Sequence, residues 1–108
     1  MDTAAVDVRA IEAQVIEALH TCYDPEIPVD IYELGLIYGV AADPQGTVTI
    51  TMTLTSPNCP SAQELPAEVK RKAETVPGVT WATVDVVFDP PWDRDRMSEA
   101  AKLQLGLL

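Results

Sequence analysis

Cys59 is the residue of this chain best placed to do chemistry. It stands in the stretch Thr53-Leu54-Thr55-Ser56-Pro57-Asn58-Cys59-Pro60, between a strongly alternating strand pattern and the start of a helix pattern. Backbone N–H groups at a helix N-terminus can lower the pKa of a thiol toward the thiolate, which is the form that binds metal or attacks an electrophile. Free cysteine is also among the most frequently buried residues, so position alone leaves a space-filling role open.

A second group with chemical potential is the acidic segment 23–33, which also contains two prolines. Asp24, Glu26, Asp30 and Glu33 carry carboxylate oxygens, the ligands that hard cations prefer. Their spacing fits no calcium loop, and carboxylates in loops commonly serve as solvated turn residues or caps. A metal role and a capping role therefore both stay open.

Trp92 is the third conspicuous side chain, because it follows two consecutive prolines in Asp89-Pro90-Pro91-Trp92-Asp93. A large aromatic residue on a stiff loop is typical of a binding anchor, and tryptophan also closes the rims of small cores. The sequence supports both interpretations. The only histidine, His20, follows the first predicted helix, where we expect a capping or surface role rather than metal ligation.

Hydrophobic periodicity predicts the elements that position these residues. An amphipathic helix is predicted up to Leu19, with Cys22 on its apolar side, and a second helix from Pro60 or Ser61 to Pro77-Gly78. Pro66 predicts either a kink or a restarted helix with the proline in its first turn. A short last helix is predicted over residues 97–105, with Ser98 near its cap.

Three strands are predicted, over residues 34–41, 47–55 and 80–88. The second alternates perfectly, with four apolar residues on one face and five threonines on a water-exposed face. The third is expected to bury Ala82, Val84, Val86 and Phe88. The fold class is thus α+β, a two-layer sandwich in α-β-β-α-β order with a C-terminal helical tail and a small mixed three-stranded sheet. The first two strands pair antiparallel and the last two parallel.

Composition and charge limit the classes of function. With 108 residues, 47% of them apolar, the chain is predicted to form one domain over residues 1–108. Two cysteines and no leader pattern predict a reduced, cytoplasmic location, and no apolar run reaches the roughly 20 residues of a membrane span. Seven basic against seventeen acidic residues give a net charge of −10, which disfavours nucleic acid and anionic membranes as partners.

Four motifs in order give the chain a family resemblance. Residues 24–38, Thr53-Leu54-Thr55 with Cys59-Pro60, Pro77-Gly78-Val79, and Asp89-Pro90-Pro91-Trp92 together resemble the SufT/PaaD-like family of iron–sulfur cluster assembly proteins, in its short, SufT-like form. The resemblance implies a non-catalytic maturation factor that works with other assembly proteins and client apoproteins, with Cys59 at the position of the motif cysteine. Asp24, Glu26, Glu33 and Trp92 are the candidate partner-binding residues.

The resemblance implies a cofactor or cargo that one thiol cannot hold alone, since iron–sulfur clusters normally take four cysteines. The cysteine-rich tail of the phenylacetate-pathway members and the Cys-x-x-Cys pair of cluster scaffolds are both missing. We therefore expect Cys59 to share a transient iron–sulfur cluster or iron ion with a partner, a small thiol, or a second copy in a homodimer. An adaptor that binds no metal is the alternative. A cysteine-dependent enzyme needs a base, and nothing in the sequence brings His20 to Cys59.

Overall fold

Our computed structural model describes residues 7–23, 29–55 and 64–107 of the chain. Within these ranges the elements follow the predicted order. They are α1 (Val8–Leu19), β1 (Ile37–Ala42), β2 (Thr47–Met52), α2 (Glu64–Glu74), β3 (Trp81–Val86) and α3 (Glu99–Gln104), with a 3-10 turn at Arg94–Arg96 before α3. The α+β class and the helical tail are confirmed.

The helices begin where the sequence offers suitable first-turn residues. The Asp7 carboxylate caps α1 by accepting a hydrogen bond from the Ala10 N–H at 3.2 Å, and Ser98 caps α3 in the same way through the Ala101 N–H at 3.1 Å. Pro66 is the third residue of α2. In this first turn its missing N–H removes no intrahelical bond, so one of the two predicted outcomes for Pro66 is confirmed.

The sheet has the order β1-β2-β3, with β2 in the centre. β1 pairs antiparallel with β2, and β2 pairs parallel with β3, as predicted. Ile50 in the middle of β2 lies opposite Val40 on one side and Val84 on the other. A β-bulge between Ile37 and Gly39 adds one residue to β1 near its start.

The core lies between one face of the sheet and helices α1 and α2. Each helix contributes one apolar stripe, and the central strand contributes three fully buried side chains. Cys22 is fully buried in this core, which confirms its predicted place. The main members are Ile11, Val15, Leu19, Val48, Ile50, Met52, Leu65, Val69 and Ala73. Within the described residues, no helix combines the length and the apolar character that crossing a membrane requires.

All three strand predictions extend too far. The first strand, predicted from residue 34, begins at Ile37, because residues 31–35 form turns. β3 ends at Val86, so Phe88 lies beyond the sheet and is 48% exposed rather than buried. β2 ends at Met52, and the alternation ends with it, because Thr53 and Leu54 are consecutive and both buried. The prediction that Thr53 faces water is therefore wrong. Thr49 is exposed and Thr47 and Thr51 are partly exposed, as the alternation predicts.

Candidate functional site

Three of the four sequence motifs meet at one end of the sheet. β1 begins there, and β2 and β3 end there, since Met52 is paired with both Ile37 and Val86. Beyond the strands the backbone contacts continue. Thr53 N–H donates to the Leu36 carbonyl at 2.8 Å, and Val87 N–H donates to the Met52 carbonyl at 2.8 Å. The segment that leads toward Cys59 therefore leaves the sheet beside the other two motifs.

The first and last motifs bind each other directly. The Trp92 indole N–H donates to the Leu34 carbonyl at 2.7 Å, and the Tyr38 hydroxyl donates to the Pro90 carbonyl at 2.7 Å. The Arg96 guanidinium lies over the Tyr38 ring, 4.8 Å from its centroid. We call the assembly of residues 33–38 and 90–98 the motif junction.

Gly35 allows the two halves of the motif junction to approach this closely. Its φ of +82° lies in the left-handed region that favours glycine. A Cβ atom at this position would come closer than 3.0 Å to the backbone carbonyl of Arg96. The glycine in the first motif is thus required both by its own backbone conformation and by the neighbouring chain.

Glu33 ties the motif junction to the start of α3. The Ser98 N–H donates to the Glu33 carbonyl at 2.8 Å, and the Ser98 hydroxyl makes a short hydrogen bond with Glu33 Oε1. Trp92 is half-buried and packs against the hydrophobic core. The structure therefore brings together Glu33 and Trp92, two of the predicted partner-binding residues, and gives each of them a contact that also supports the fold.

The carboxylate of Asp30 acts as a cap, which was one of the two roles left open for the acidic segment. Its Oδ2 accepts hydrogen bonds from the backbone N–H groups of Tyr32 and Glu33, each at 3.1 Å. The same oxygen lies 3.0 Å from Nδ1 of His20. His20 is the C-cap residue of α1, as expected, and its ring also packs against that of Tyr32 at 4.9 Å.

A surface groove of about 470 Å³ opens at the motif junction, lined by Gly35, Ile37, Tyr38, Pro90 and Arg96. Sequence reasoning missed Tyr38 and Arg96 as individual site residues. Tyr38 stands at the end of the first motif, so its position carried a signal. Arg96 carried none, because its placement depends on contacts with residues far away in the sequence.

Of the two cysteines, Cys22 belongs to the hydrophobic core. Cys22 is fully buried. Burial, with a smaller effect from the nearby Glu68 carboxylate, raises the pKa of its thiol to about 11. It is therefore an unreactive thiol at neutral pH. Cys59 and the acidic residues Asp24 and Glu26 lie outside the described residues.

Across residues 7–23, 29–55 and 64–107, no three His, Cys, Asp or Glu side chains are grouped so that they could hold a metal ion.

Thr53 is a further residue that sequence reasoning missed. It is 1% exposed, and its hydroxyl finds no hydrogen-bond partner among the residues described. This buried polar group stands at the start of the segment that contains Cys59.

Comparison with known proteins decides the family. A family model described as iron-sulfur cluster assembly protein matches residues 12–86. The chain belongs to this family. It is 50% identical over 97 residues to an Fe-S protein maturation auxiliary factor of Porphyromonas gingivalis, with 90% of this chain and 92% of the relative covered. It is 42% identical to the Fe-S protein maturation auxiliary factor SufT of Staphylococcus aureus, with 78% and 96% covered. The SufT-like resemblance is confirmed.

Two further relatives concern the fold and the larger setting of the domain. The crystal structure of a domain of unknown function from Bacillus anthracis matches with a TM-score of 0.86 and 42% identity, covering 94% of this chain and 96% of that chain. An iron-sulfur cluster carrier protein of Mycobacterium leprae is 32% identical over 103 residues. The match covers 95% of this chain and 26% of that protein. The same unit thus recurs inside a longer protein.

Proposed function

We propose that this protein is an accessory factor that helps to assemble iron–sulfur clusters or deliver them to client proteins, with Cys59 as a shared, transient thiolate ligand. The observation that carries the proposal is the family match over residues 12–86, a range that includes Cys59. The names of its relatives, which are maturation auxiliary factors and a cluster carrier, support the same role.

The contrast between the two thiols supports Cys59 as the ligand. A cysteine binds iron as the thiolate, and the pKa of about 11 keeps Cys22 protonated at neutral pH. Cys59 is then the remaining cysteine of the chain. Since clusters normally take four cysteines, a single thiolate needs further ligands from a partner, a second copy or a small thiol. Such an incomplete ligand set suits a carrier, because the cargo can leave by thiolate exchange.

The motif junction supports a role in positioning. It fixes the sheet end from which the Cys59 segment departs, and Tyr38 and Arg96 line the surface groove there. Glu33 and Trp92 belong to the same motif junction through their bonds to Ser98 and Leu34. We propose that this surface, together with Asp24 and Glu26, receives other assembly proteins or client apoproteins in the cytoplasm.

An adaptor that binds no metal is the second candidate. It is favoured by one observation, which is that the motif junction forms a groove at the surface through contacts made by protein groups alone. In this case the motif junction would dock partners, and the thiol of Cys59 would be dispensable. Both candidates are accessory, non-catalytic factors. They differ only in whether the chain itself binds the cluster or iron.

Anaerobic reconstitution with ferrous iron and sulfide separates the two candidates. We expect the wild-type protein to acquire sulfide-to-iron charge-transfer absorption and bound iron, and Cys59→Ser to lose both. The matched control is Cys22→Ala, which removes the other thiol and leaves a small core cavity. We expect this variant to bind iron as the wild type does, because Cys22 is not a ligand.

A genetic test covers the case in which the cargo is held only in the presence of a partner. In a strain that lacks this protein, we expect Cys22→Ala to restore the activity of iron–sulfur enzymes and Cys59→Ser to fail, although both fold. Full restoration by Cys59→Ser under iron limitation would contradict shared ligation and establish the adaptor. Iron binding that survives Cys59→Ser would contradict Cys59 as the ligand.

A further inference from the structure

Among the described residues, no strand pairs with the outer edge of β3, which is an edge strand of the sheet. In a parallel pair, alternate residues turn their N–H and C=O groups toward the neighbouring strand. Two observations show which residues of β3 turn their backbone groups toward β2. Val87 N–H donates to Met52 of β2, so the odd-numbered residues face β2. The Ala82 N–H and carbonyl instead bind side chains of α2, so the even-numbered residues face outward.

In the ranges that the structure describes, side chains cover only the first half of this edge. The Ala82 N–H donates to Glu74 Oε2 at 3.1 Å, and the Ala82 carbonyl accepts from Lys70 Nζ at 2.9 Å. Lys70 also lies over the Trp81 ring, 3.8 Å from its centroid. Farther along, Val84 and Val86 turn the same groups outward, and among the described residues nothing accepts from or donates to them. Such an edge is a template for an additional strand.

The opposite edge of the sheet is better protected. A β-bulge interrupts β1 between Ile37 and Gly39, and the outward N–H of Ala42 donates to Glu12 Oε2 of α1 at 2.9 Å. Bulges and capping side chains are two of the ways in which proteins block pairing at an edge. The open part of β3 is regular, since its register with β2 is unbroken from Trp81 to Val86.

We propose that the outer edge of β3 at Val84–Val86 binds an extended segment of a partner protein, by strand addition, and that the segment alternates apolar and basic residues. Val84 and Val86 lie half-buried on the helix-covered face, whereas Thr83 and Asp85 are exposed on the open face. An added strand therefore places alternate side chains beside an apolar strip and beside Asp85. The net charge of −10 favours basic residues among the side chains of the added strand that lie beside Asp85.

The same charges disfavour a second copy as the occupant. Two β3 strands paired edge to edge would bring the Asp85 side chains of both copies to one face of a joined sheet, between two chains of charge −10. The edge also lies next to the candidate site, because Val86 pairs with Met52 at the sheet end of the motif junction. The inference rests on the proposed function only in taking the partner to be a client or assembly protein.

Amide hydrogen exchange measured by NMR tests this edge directly. In the free protein we expect the amides of Val84 and Val86 to exchange rapidly and those of Thr83 and Asp85 to be protected by β2. The probe is a capped heptapeptide of alternating valine and lysine. Its addition should slow exchange at Val84 and Val86 at least ~10-fold, as expected for amides that enter a ladder. A peptide of alternating valine and glutamate is the charge control.

A lysine peptide with N-methylated backbone amides separates strand pairing from charge attraction. It keeps the charge, but its methyl groups replace the donors to the Val84 and Val86 carbonyls and block close approach of the peptide backbone to the edge. It should therefore give no protection at Val84 or Val86. Val86→Pro removes one outward N–H without removing a bond to β2, and should abolish protection by the lysine peptide. Asp85→Lys should weaken the binding of the lysine peptide roughly fivefold and should strengthen the binding of the glutamate peptide.

Three results would overturn the proposal. The first is no added protection with the lysine peptide, and the second is equal protection by the N-methylated one. The third is protection of Val84 and Val86 in the free protein that rises with protein concentration, which would assign the edge to a second copy. Cys59→Ser should leave every one of these measurements unchanged. Failure at the β3 edge is thereby distinguished from failure of cluster handling.

Discussion

At both ends of the sheet, hydrogen bonds to backbone carbonyls join two connecting segments, but the side chains at the two ends differ. At one end, where β2 and β3 begin, the turn before β2 meets the turn before β3. The Thr80 N–H donates to the Gly46 carbonyl at 2.9 Å, and the Thr80 hydroxyl donates to the Gln45 carbonyl at 3.0 Å. We call this the turn end. The other end is the motif junction, where Trp92 and Tyr38 make the corresponding bonds.

A glycine in the left-handed region lies at each closure. A Cβ on Gly46 would come closer than 3.0 Å to the Gly78 carbonyl, as one on Gly35 would to the Arg96 carbonyl. The difference lies in the side chains. The turn end is held by backbone carbonyls, the Thr80 hydroxyl and the Asp43 carboxylate, which accepts from the Gln45 and Thr47 N–H groups. The motif junction instead uses a glutamate and an indole, and its arginine lines a groove.

The largest effect is expected from substitution of either closing glycine. Gly35→Ala and Gly46→Ala each force a side chain into positive φ and against a backbone carbonyl. We expect each to lower the free energy of unfolding by about 3 kcal/mol, from the backbone conformation and the steric overlap together. Chemical denaturation measures the loss. If the comparison holds, only Gly35→Ala changes the exposure of Trp92, which fluorescence quenching reports in a Trp81→Phe background.

Gly39→Ala is the matched control for both glycines. Gly39 has no left-handed φ, and a Cβ there would meet nothing within 4 Å. Its effect should stay within about 0.5 kcal/mol. A loss at Gly39 as large as that at Gly35 would show that glycine substitution is costly throughout this sheet, and the comparison of the two closures would fail.

A smaller effect is expected from the conservative change Trp92→Phe. Trp92→Phe keeps most of the apolar contact and removes the hydrogen bond to the Leu34 carbonyl, so it should cost about 1 kcal/mol. Trp92→Ala also removes the contact with the core and should cost roughly 3 kcal/mol. Thermal unfolding of both variants measures these losses. If Trp92 is also a partner anchor, Trp92→Phe should weaken partner binding beyond its effect on stability; equal binding would leave it a structural residue.

Local patterns in the sequence were sufficient to predict which helices and strands form and how the strands pair. Alternation identified the buried residues Val48, Ile50 and Met52, and helical spacing placed Cys22 in the core. These predictions succeed because burial of a strand face or helix stripe repeats with a fixed period. Strand ends were less predictable. Phe88 and Thr53 continue the alternation of their strands in the sequence, yet each lies just beyond the last ladder pair.

The motif junction could not be derived from local patterns. Its bonds join residues that are far apart in the chain, Trp92 with Leu34 and Pro90 with Tyr38, and each uses a backbone carbonyl as acceptor. A carbonyl is present at every residue, so the sequence contains no sign of which one is used. The family resemblance indicated that these segments matter together, and the structure supplies the physical contact between them.

The smallest expected effect concerns the hydroxyls at the two ends. Ser98→Ala removes the cap of α3 and the bond to Glu33, so it should cost about 1 kcal/mol. Ser98→Thr keeps the hydroxyl and should cost less. At the turn end, Thr80→Val removes one exposed hydrogen bond to Gln45 and should cost about 0.5 kcal/mol. Denaturation curves rank the three variants. If Thr80→Val were the more costly change, the turn end would depend on side chains as much as the motif junction does. The assignment of the more important side-chain bonds to the motif junction would then be wrong.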